Sequence, residues 1–256
     1  MIDISHANNC ILREPCKLAN SETCNRRCPS YITLHGYDGR GGRIGAAGVP
    51  SEYRMLTVKN SPARAEQERA YKIIDAYVST FGRQFEDNAD EPVKSLYLYS
   101  EAPGTGKTTT AAAVLNEYLI AHYIGSLKRN RQALERPVYF LDVNAWQTDF
   151  NAFNRPRVPE EVAAPAGERY YRAQRIAMSV PFLVADDIGV RDATDAFRAD
   201  LHAIINGRVT AGLPTVFTSN VPLTELDRVF DPRLYDRIRD LCVTILFEGT
   251  SKRGMR

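Results

Sequence analysis

The sequence predicts an α/β protein: a five-stranded parallel sheet flanked by helices, preceded by a small cysteine-rich segment. Three observations carry this. Five short stretches rich in apolar and β-branched residues alternate with helical stretches between residue 61 and residue 256. That alternation builds a parallel sheet through crossover helices. One strand runs into the turn Glu101-Ala102-Pro103-Gly104-Thr105-Gly106-Lys107-Thr108 and then a helix. Another, Pro181-Phe182-Leu183-Val184-Ala185-Asp186-Asp187, is apolar throughout and ends on two acids, as a strand buried on both faces does.

Residues 1–35 hold Cys10, Cys16, Cys24 and Cys28, four of the five cysteines of the chain, among polar and turn-forming residues. With few apolar side chains of its own, such a segment needs a staple, and four thiolates around a structural zinc ion supply one. His6 or His35 can replace one cysteine in that reading; reduced surface thiols or disulfides are the alternatives. Residues 36–60 begin with a glycine-rich run, Gly36 to Gly48, which reads as a flexible linker. Arg40 and Arg43 within it are solvated, or touch phosphate.

The elements of 61–256 follow in order. Ser61-Pro62 is a helix start, and Ala70, Ile73, Ile74, Tyr77 and Phe81 repeat at helical spacing behind it. Val93 to Tyr99 is the first strand. The helix after the phosphate loop ends near Lys128-Arg129-Asn130-Arg131, a basic run that is either a solvated helix end or a contact for a DNA backbone. Pro137 to Val143 is a strand, Asn144 to Phe153 a helix holding the single tryptophan, Trp146, and Arg155 to Gly167 a Pro/Ala/Glu-rich surface loop. Glu168 to Met178 is a helix. After the strand at 181–187, Phe197, Leu201, Ile204 and Ile205 mark the buried face of the next helix. Leu213 to Asn220 is a strand, Asp231-Pro232 opens a helix bearing Arg233, Asp236, Arg237 and Arg239, and Leu241 to Phe247 is the last strand, with Cys242 in its packing.

The chemistry follows from the order. Strand, glycine-rich turn, Lys-Thr and helix make a phosphate cradle of backbone N–H groups at a helix N-terminus. The expected nucleotide-binding set is Pro103, Gly104, Thr105, Gly106, Lys107, Thr108 and Thr109. Lys107 reaches the β- and γ-phosphates and the Thr108 hydroxyl takes Mg²⁺. Asp186, at the carboxyl end of a buried strand, supports the same Mg²⁺, and Asp187 polarises an attacking water. Net charge is only +2 over 256 residues, so nucleic-acid binding has to come from local patches or from assembly. The sequence has no apolar run of membrane-spanning length and no signal-peptide pattern.

Together these motifs resemble an AAA+ ATPase: Walker A at 101–108, Walker B at 182–187, sensor 1 at Asn220, and an arginine-bearing box at 233–237. The closer resemblance is to the bacterial and phage replicative-helicase loaders, the DnaC, DnaI and IstB branch. Ala47-Gly48-Val49-Pro50-Ser51-Glu52-Tyr53-Arg54 resembles the element that precedes their ATPase domain. The cysteine-rich front resembles a zinc domain that grips the helicase. The end, Phe247 to Arg253, resembles their Ser-Tyr-Arg terminus, and the resemblance implies an ATPase domain without a helical lid. The resemblance implies ATP, Mg²⁺ and Zn²⁺ as cofactors. The implied partners are a hexameric replicative DNA helicase, single-stranded DNA and further copies of the chain in a ring or spiral, in the cytoplasm of a bacterial cell, with a lean towards a phage copy. It implies that Asn220 places the hydrolytic water, that Arg237 reaches a neighbouring subunit's nucleotide, and that Arg253 is a C-terminal sensor. For Arg237 the alternative is a local salt bridge. Lys128, Arg129, Arg131, Tyr170, Tyr171 and Arg175 become candidate DNA contacts. Two positions depart from the pattern: Glu101 stands where the first Walker glycine is expected, either at the strand exit pointing away from phosphate or pointing inwards, where it would repel it, and Asp187 is one methylene shorter than the usual Glu. Both argue for slow or partner-stimulated hydrolysis. A transposition helper of the same branch and a nucleotide-bound adaptor without turnover are the competing functions.

Overall fold

The structure is a computed structural model that describes residues 6–86, 92–189, 192–226 and 232–250, with no side-chain description at 232–234. Five parallel strands form one sheet: β1 Ser95–Tyr99, β2 Val138–Asp142, β3 Phe182–Asp186, β4 Thr215–Ser219 and β5 Cys242–Leu246. Their spatial order is β2-β3-β4-β1-β5. The chain therefore leaves β1 for the far edge, works back to its side, and then crosses to add β5. In register, Leu98 of β1 lies beside Thr218 and Ile245, and Asp142 of β2 lies beside Asp186.

Alternation along the strands splits the core in two. On one face Leu96, Leu98, Val138, Phe140, Phe182, Val184 and Val216 pack on α3 (Glu68–Ser79) and α4 (Lys107–Lys128). On the other, Tyr97, Leu141, Leu183, Ala185 and Phe217 pack on α5 (Val143–Asn154), α6 (Glu160–Ser179), α7 (Asp195–Thr210) and α8 (Pro232–Leu241). Trp146 is core, stacked on Tyr170 at 4.6 Å and 5°.

Three sequence expectations change locally. Ser61-Pro62 does not cap a helix: α3 starts at Glu68, and Ser61 accepts a hydrogen bond from the Tyr71 hydroxyl at 2.5 Å. The stretch 155–167 is not all loop, because α6 begins at Glu160. Its Glu160 and Glu161 favour the helix N-terminus, and Pro165 forfeits only one backbone bond in the second turn. Tyr170 is fully buried, with its hydroxyl donating to Asp200 at 2.6 Å, so it is not a stacking surface for bases. The sequence also gave no sign of the buried Arg208, which ties α7 to its neighbours. It donates to the carbonyls of Ala177, Val180 and Pro214 and to the Thr215 hydroxyl, and burial pulls its pKa down to about 9.

The larger correction concerns residues 6–60. Sixteen of the 22 residues of α4 are buried. A helix apolar on all sides must be covered on the side away from the sheet as well. The N-terminal segment provides part of that cover: Ile11, Leu12, Leu34, Ile44, Ala47, Val49 and Val58 share one core with α4. Residues 36–60 accordingly do not form a loose linker. They contain α2 (Gly42–Ala46), which crosses α1 (Pro29–His35) so closely that a Cβ on Gly42 would meet the Leu34 carbonyl carbon at 2.5 Å. Arg43 donates to the carbonyls of Ala133 and Leu134 at 2.8 and 2.7 Å, and the Phe140 N–H of β2 donates to Ala47.

The zinc expectation is corrected too. Cys10, Cys16, Cys24 and Cys28 lie near enough that charge on the other three raises the Cys10 pKa further, after burial. Yet among the described residues no three His, Cys, Asp or Glu side chains are arranged to hold a metal ion. Four thiols are the right chemistry for zinc, but as placed they do not fit it. His35 is engaged elsewhere: its Nε2 accepts the Ile11 N–H at 3.1 Å and its ring stacks on Tyr31. The premise of a segment without a core is what failed, since its scattered apolar residues borrow the core of α4.

Candidate nucleotide site

The carboxyl ends of β1, β2, β3 and β4 converge on one cavity of about 750 Å³. It lies in the crevice where strand order reverses, the usual ligand position in open α/β sheets. Its walls are the loop residues 103–109, Asp142, Asp186, Asp187 and Asn220, and, on the outer side, Pro50, Glu52, Tyr53, Pro62, Ala63 and Glu66.

The loop turns on glycines. Gly106 sits at φ 99°, and a Cβ there would come within 2.6 Å of the Ala63 methyl. Lys107 is buried, and its ammonium donates to the carbonyls of Ser100 and Ala102 at 3.4 and 3.2 Å. The cavity lies beside it. The Thr105 hydroxyl is buried without a hydrogen-bond partner among the described residues, and so is the Asn220 Oδ1; both line the cavity. Such orphaned groups fit a polar ligand.

Asp186 is the centre of the acid side. Burial, foremost, drives its pKa up to about 7; hydrogen bonds from Thr218 and Thr108 oppose that, and the charges of Asp187 and Asp142 add to it. Thr218 was missed by sequence reasoning. Its hydroxyl donates to Asp186 Oδ1 at 2.7 Å and accepts the Asp187 N–H at 2.9 Å, so one β4 residue orients both acids. Alternation along Thr215–Ser219 was the available signal, because it turns Thr218 towards the same face as Val216. Asp187 adopts φ 59°, uncommon for a residue with a side chain, and the Asn144 amide reaches its Oδ2 at 3.4 Å. Asp142 also faces the cavity while capping α5 through the Ala145 N–H at 2.9 Å.

Lys107, Thr108, Asp186, Asp187 and Asn220 are thus brought together, along with Pro103, Gly104, Thr105, Gly106 and Thr109. Glu101 is not among the cavity walls. It is exposed and its carboxylate accepts the Tyr99 hydroxyl at 3.2 Å, which removes the concern that it repels phosphate. Arg237 does not join the site of its own chain. It is exposed on α8 and has no ion pair with a described residue, while neighbouring Asp236 pairs with Arg239 at 3.0 Å. Arg253 lies outside the described residues.

No protein-family profile matches the chain. Its sequence is 26% identical over 157 residues to the replicative helicase loader DnaC of Escherichia coli K12, an overlap of 61% of this chain and 55% of that protein. Over those residues the chain is similar in sequence to that loader. It spans about half the length of that curated relative. A crystal structure of the DnaC helicase loader superposes with a TM-score of 0.52 at 20% identity, covering 78% of this chain and 100% of that one. The replication initiator DnaA bound to AMPPCP and single-stranded DNA gives 0.51 at 16% identity, over 78% and 51% of the two chains. At these identities the structural likeness speaks for the fold alone, an α/β fold around a five-stranded parallel sheet.

Proposed function

We propose that this protein is an ATP-dependent loader of a replicative DNA helicase. In this reading it binds the helicase and helps to place it on single-stranded DNA, with ATP binding and slow hydrolysis as the assembly and release switch. The observation that carries the reading is the convergence of buried Lys107, Thr108, Asp186 and Asn220 on one cavity in a chain similar in sequence to DnaC. The residues fit a Mg²⁺-nucleotide. Residues 103–109 and Lys107 hold the phosphates, Thr108 and Asp186 hold Mg²⁺, and Asn220 orients water. Pro50, Tyr53, Pro62 and Ala63 leave an apolar wall for the nucleoside. Bound Mg²⁺ supplies charge neutralisation between the phosphates.

Slow turnover has support in Asp187, whose short carboxylate is engaged by Asn144 on a positive-φ turn. Glu101 no longer contributes to that argument. The exposed Arg237 suits a role at a neighbouring subunit's nucleotide, and so a homo-oligomer in a ring or spiral. Contact with single-stranded DNA falls to exposed Lys128, Arg129, Arg131, Tyr171 and Arg175. The basic run lies at the far end of a 22-residue helix from the phosphate loop. Among the described residues no helix is long and apolar enough to cross a membrane; the bacterial cytoplasm is the compartment this function requires.

The test is a purified mixture with the host's replicative helicase, ATP and single-stranded DNA. A stoichiometric complex whose assembly needs ATP and whose phosphate release rises on mixing is expected. Recruitment of a transposase to duplex DNA with no helicase complex would favour the transposition helper instead, and complex formation without any phosphate release would favour an adaptor.

A further inference from the structure

We propose that Gln67 is a positioning residue for phosphate binding, holding the Thr105–Gly106 peptide of the loop and tying it to the chain that leaves β5. The proposal rests on the nucleotide reading above and names a residue outside the motifs.

Gln67 precedes α3 and is buried. Its side-chain amide is used at both ends. Nε2 donates to the Thr105 carbonyl at 3.3 Å and to the Glu248 carbonyl at 2.6 Å, while Oε1 accepts the Glu248 N–H at 3.2 Å. The pairing with Glu248 has two points and resembles an added rung of sheet, two residues beyond the end of β5. Phe247, between them, continues the ladder by donating to the Tyr99 carbonyl at 2.7 Å, just ahead of the phosphate loop.

The Thr105 contact has a directional consequence. The peptide unit is planar and there is no cis bond in the described chain, so the Gly106 N–H points opposite to the Thr105 carbonyl. By drawing that carbonyl towards α3, Gln67 turns the Gly106 N–H to the other side of the peptide. Ala63 packs close to the same turn, its methyl lying 2.6 Å from where a Gly106 Cβ would stand. Backbone N–H groups in fixed orientation are what bind phosphate in such loops. Because the same amide grips Glu248, nucleotide and the C-terminal stretch affect each other reciprocally.

The test compares Gln67→Ala and Gln67→Glu with the wild-type chain in titrations with a fluorescent ATP analogue and Mg²⁺. Gln67→Glu keeps the acceptor for Glu248 and loses both donors. The control is Gln147→Ala, which removes an equally buried amide that donates to the Asp192 carbonyl at 2.8 Å and is not among the cavity walls. Gln67→Ala should weaken nucleotide affinity about 3- to 10-fold, and Gln67→Glu more. Gln147→Ala should lose comparable stability with affinity unchanged within about twofold. Hydrogen exchange of the wild-type chain is the second measurement and needs no variant: nucleotide should slow the Glu248 amide together with the loop amides. Unchanged affinity in folded Gln67 variants, or a Glu248 amide indifferent to nucleotide in a wild-type chain that binds it, overturns the proposal alone. A wild-type chain that binds no nucleotide overturns the reading beneath it as well.

Discussion

His35 and Asp186 are buried to the same degree, at 4% and 6% exposed, in two different regions, and each is driven towards its neutral form. Burial, with the charge of His6 adding, lowers His35 to about 4. Burial, with the charge of Asp187 adding, raises Asp186 to about 7. Their partners differ. His35 accepts a backbone N–H, which only the neutral ring can do, so solvation and bonding agree. Asp186 receives the Thr218 hydroxyl and a hydrogen bond from Thr108, donors that favour the carboxylate, so bonding opposes burial. Agreement marks a group that serves the packing of the N-terminal segment. Conflict fits the Mg²⁺ site proposed above.

The largest expected effect breaks this contrast from the functional side. Asp186→Asn should lower partner-stimulated phosphate release by about 100-fold or more, while leaving the protein at least as stable at pH 7. Retained turnover, or a large loss of stability, would make Asp186 a structural acid like its histidine counterpart. On the other side, Leu34→Ala should cost about 2–5 kcal/mol of stability in a single cooperative transition, with nucleotide affinity intact. A separate low-temperature transition in calorimetry would instead make residues 6–60 a module of their own.

The smallest effect is the pH dependence of the metal-free protein, read as differences between wild type and variants. Asp186 has a folded pKa of about 7 against an ordinary 3.8. Between these values the folded chain binds more protons than the unfolded one, so its contribution to stability falls as pH rises. The advantage of Asp186→Asn should grow from about pH 4 to about pH 7 and then level off. His35 has a folded pKa of about 4 against an ordinary 6.5. There the unfolded chain binds more protons, so stability rises with pH. The deficit of His35→Gln should shrink as pH falls across that window. Parallel trends in the two variants would refute the opposed signs.

The sheet was readable because its signals are local. Each strand is one apolar run, and Gly104, Gly106, Lys107 and Thr108 stand within five consecutive residues. Residues 6–60 were misread because Ile11, Leu12, Leu34 and Ile44 are spread among polar neighbours and look too few for a core. They need none of their own. The all-round apolar character of residues 107–128 was the one local hint that a second layer must cover that helix. Thr218, Asn144 and Gln67 carry no motif, and their roles come from strands and helices distant in sequence.

The sequence by itself determined the parallel α/β architecture, the glycine-rich turn after β1 and the acids at the end of β3, because periodicity and turn chemistry act over a few residues. Only the tertiary structure decided that Glu101 turns out to Tyr99, that Tyr170 is core, that the four cysteines form no metal group, and that burial pushes Asp186 towards its neutral form against its own hydrogen bonds. Each of those depends on which distant side chains exclude water from a group. That is a property of packing, and no stretch of chain carries it alone.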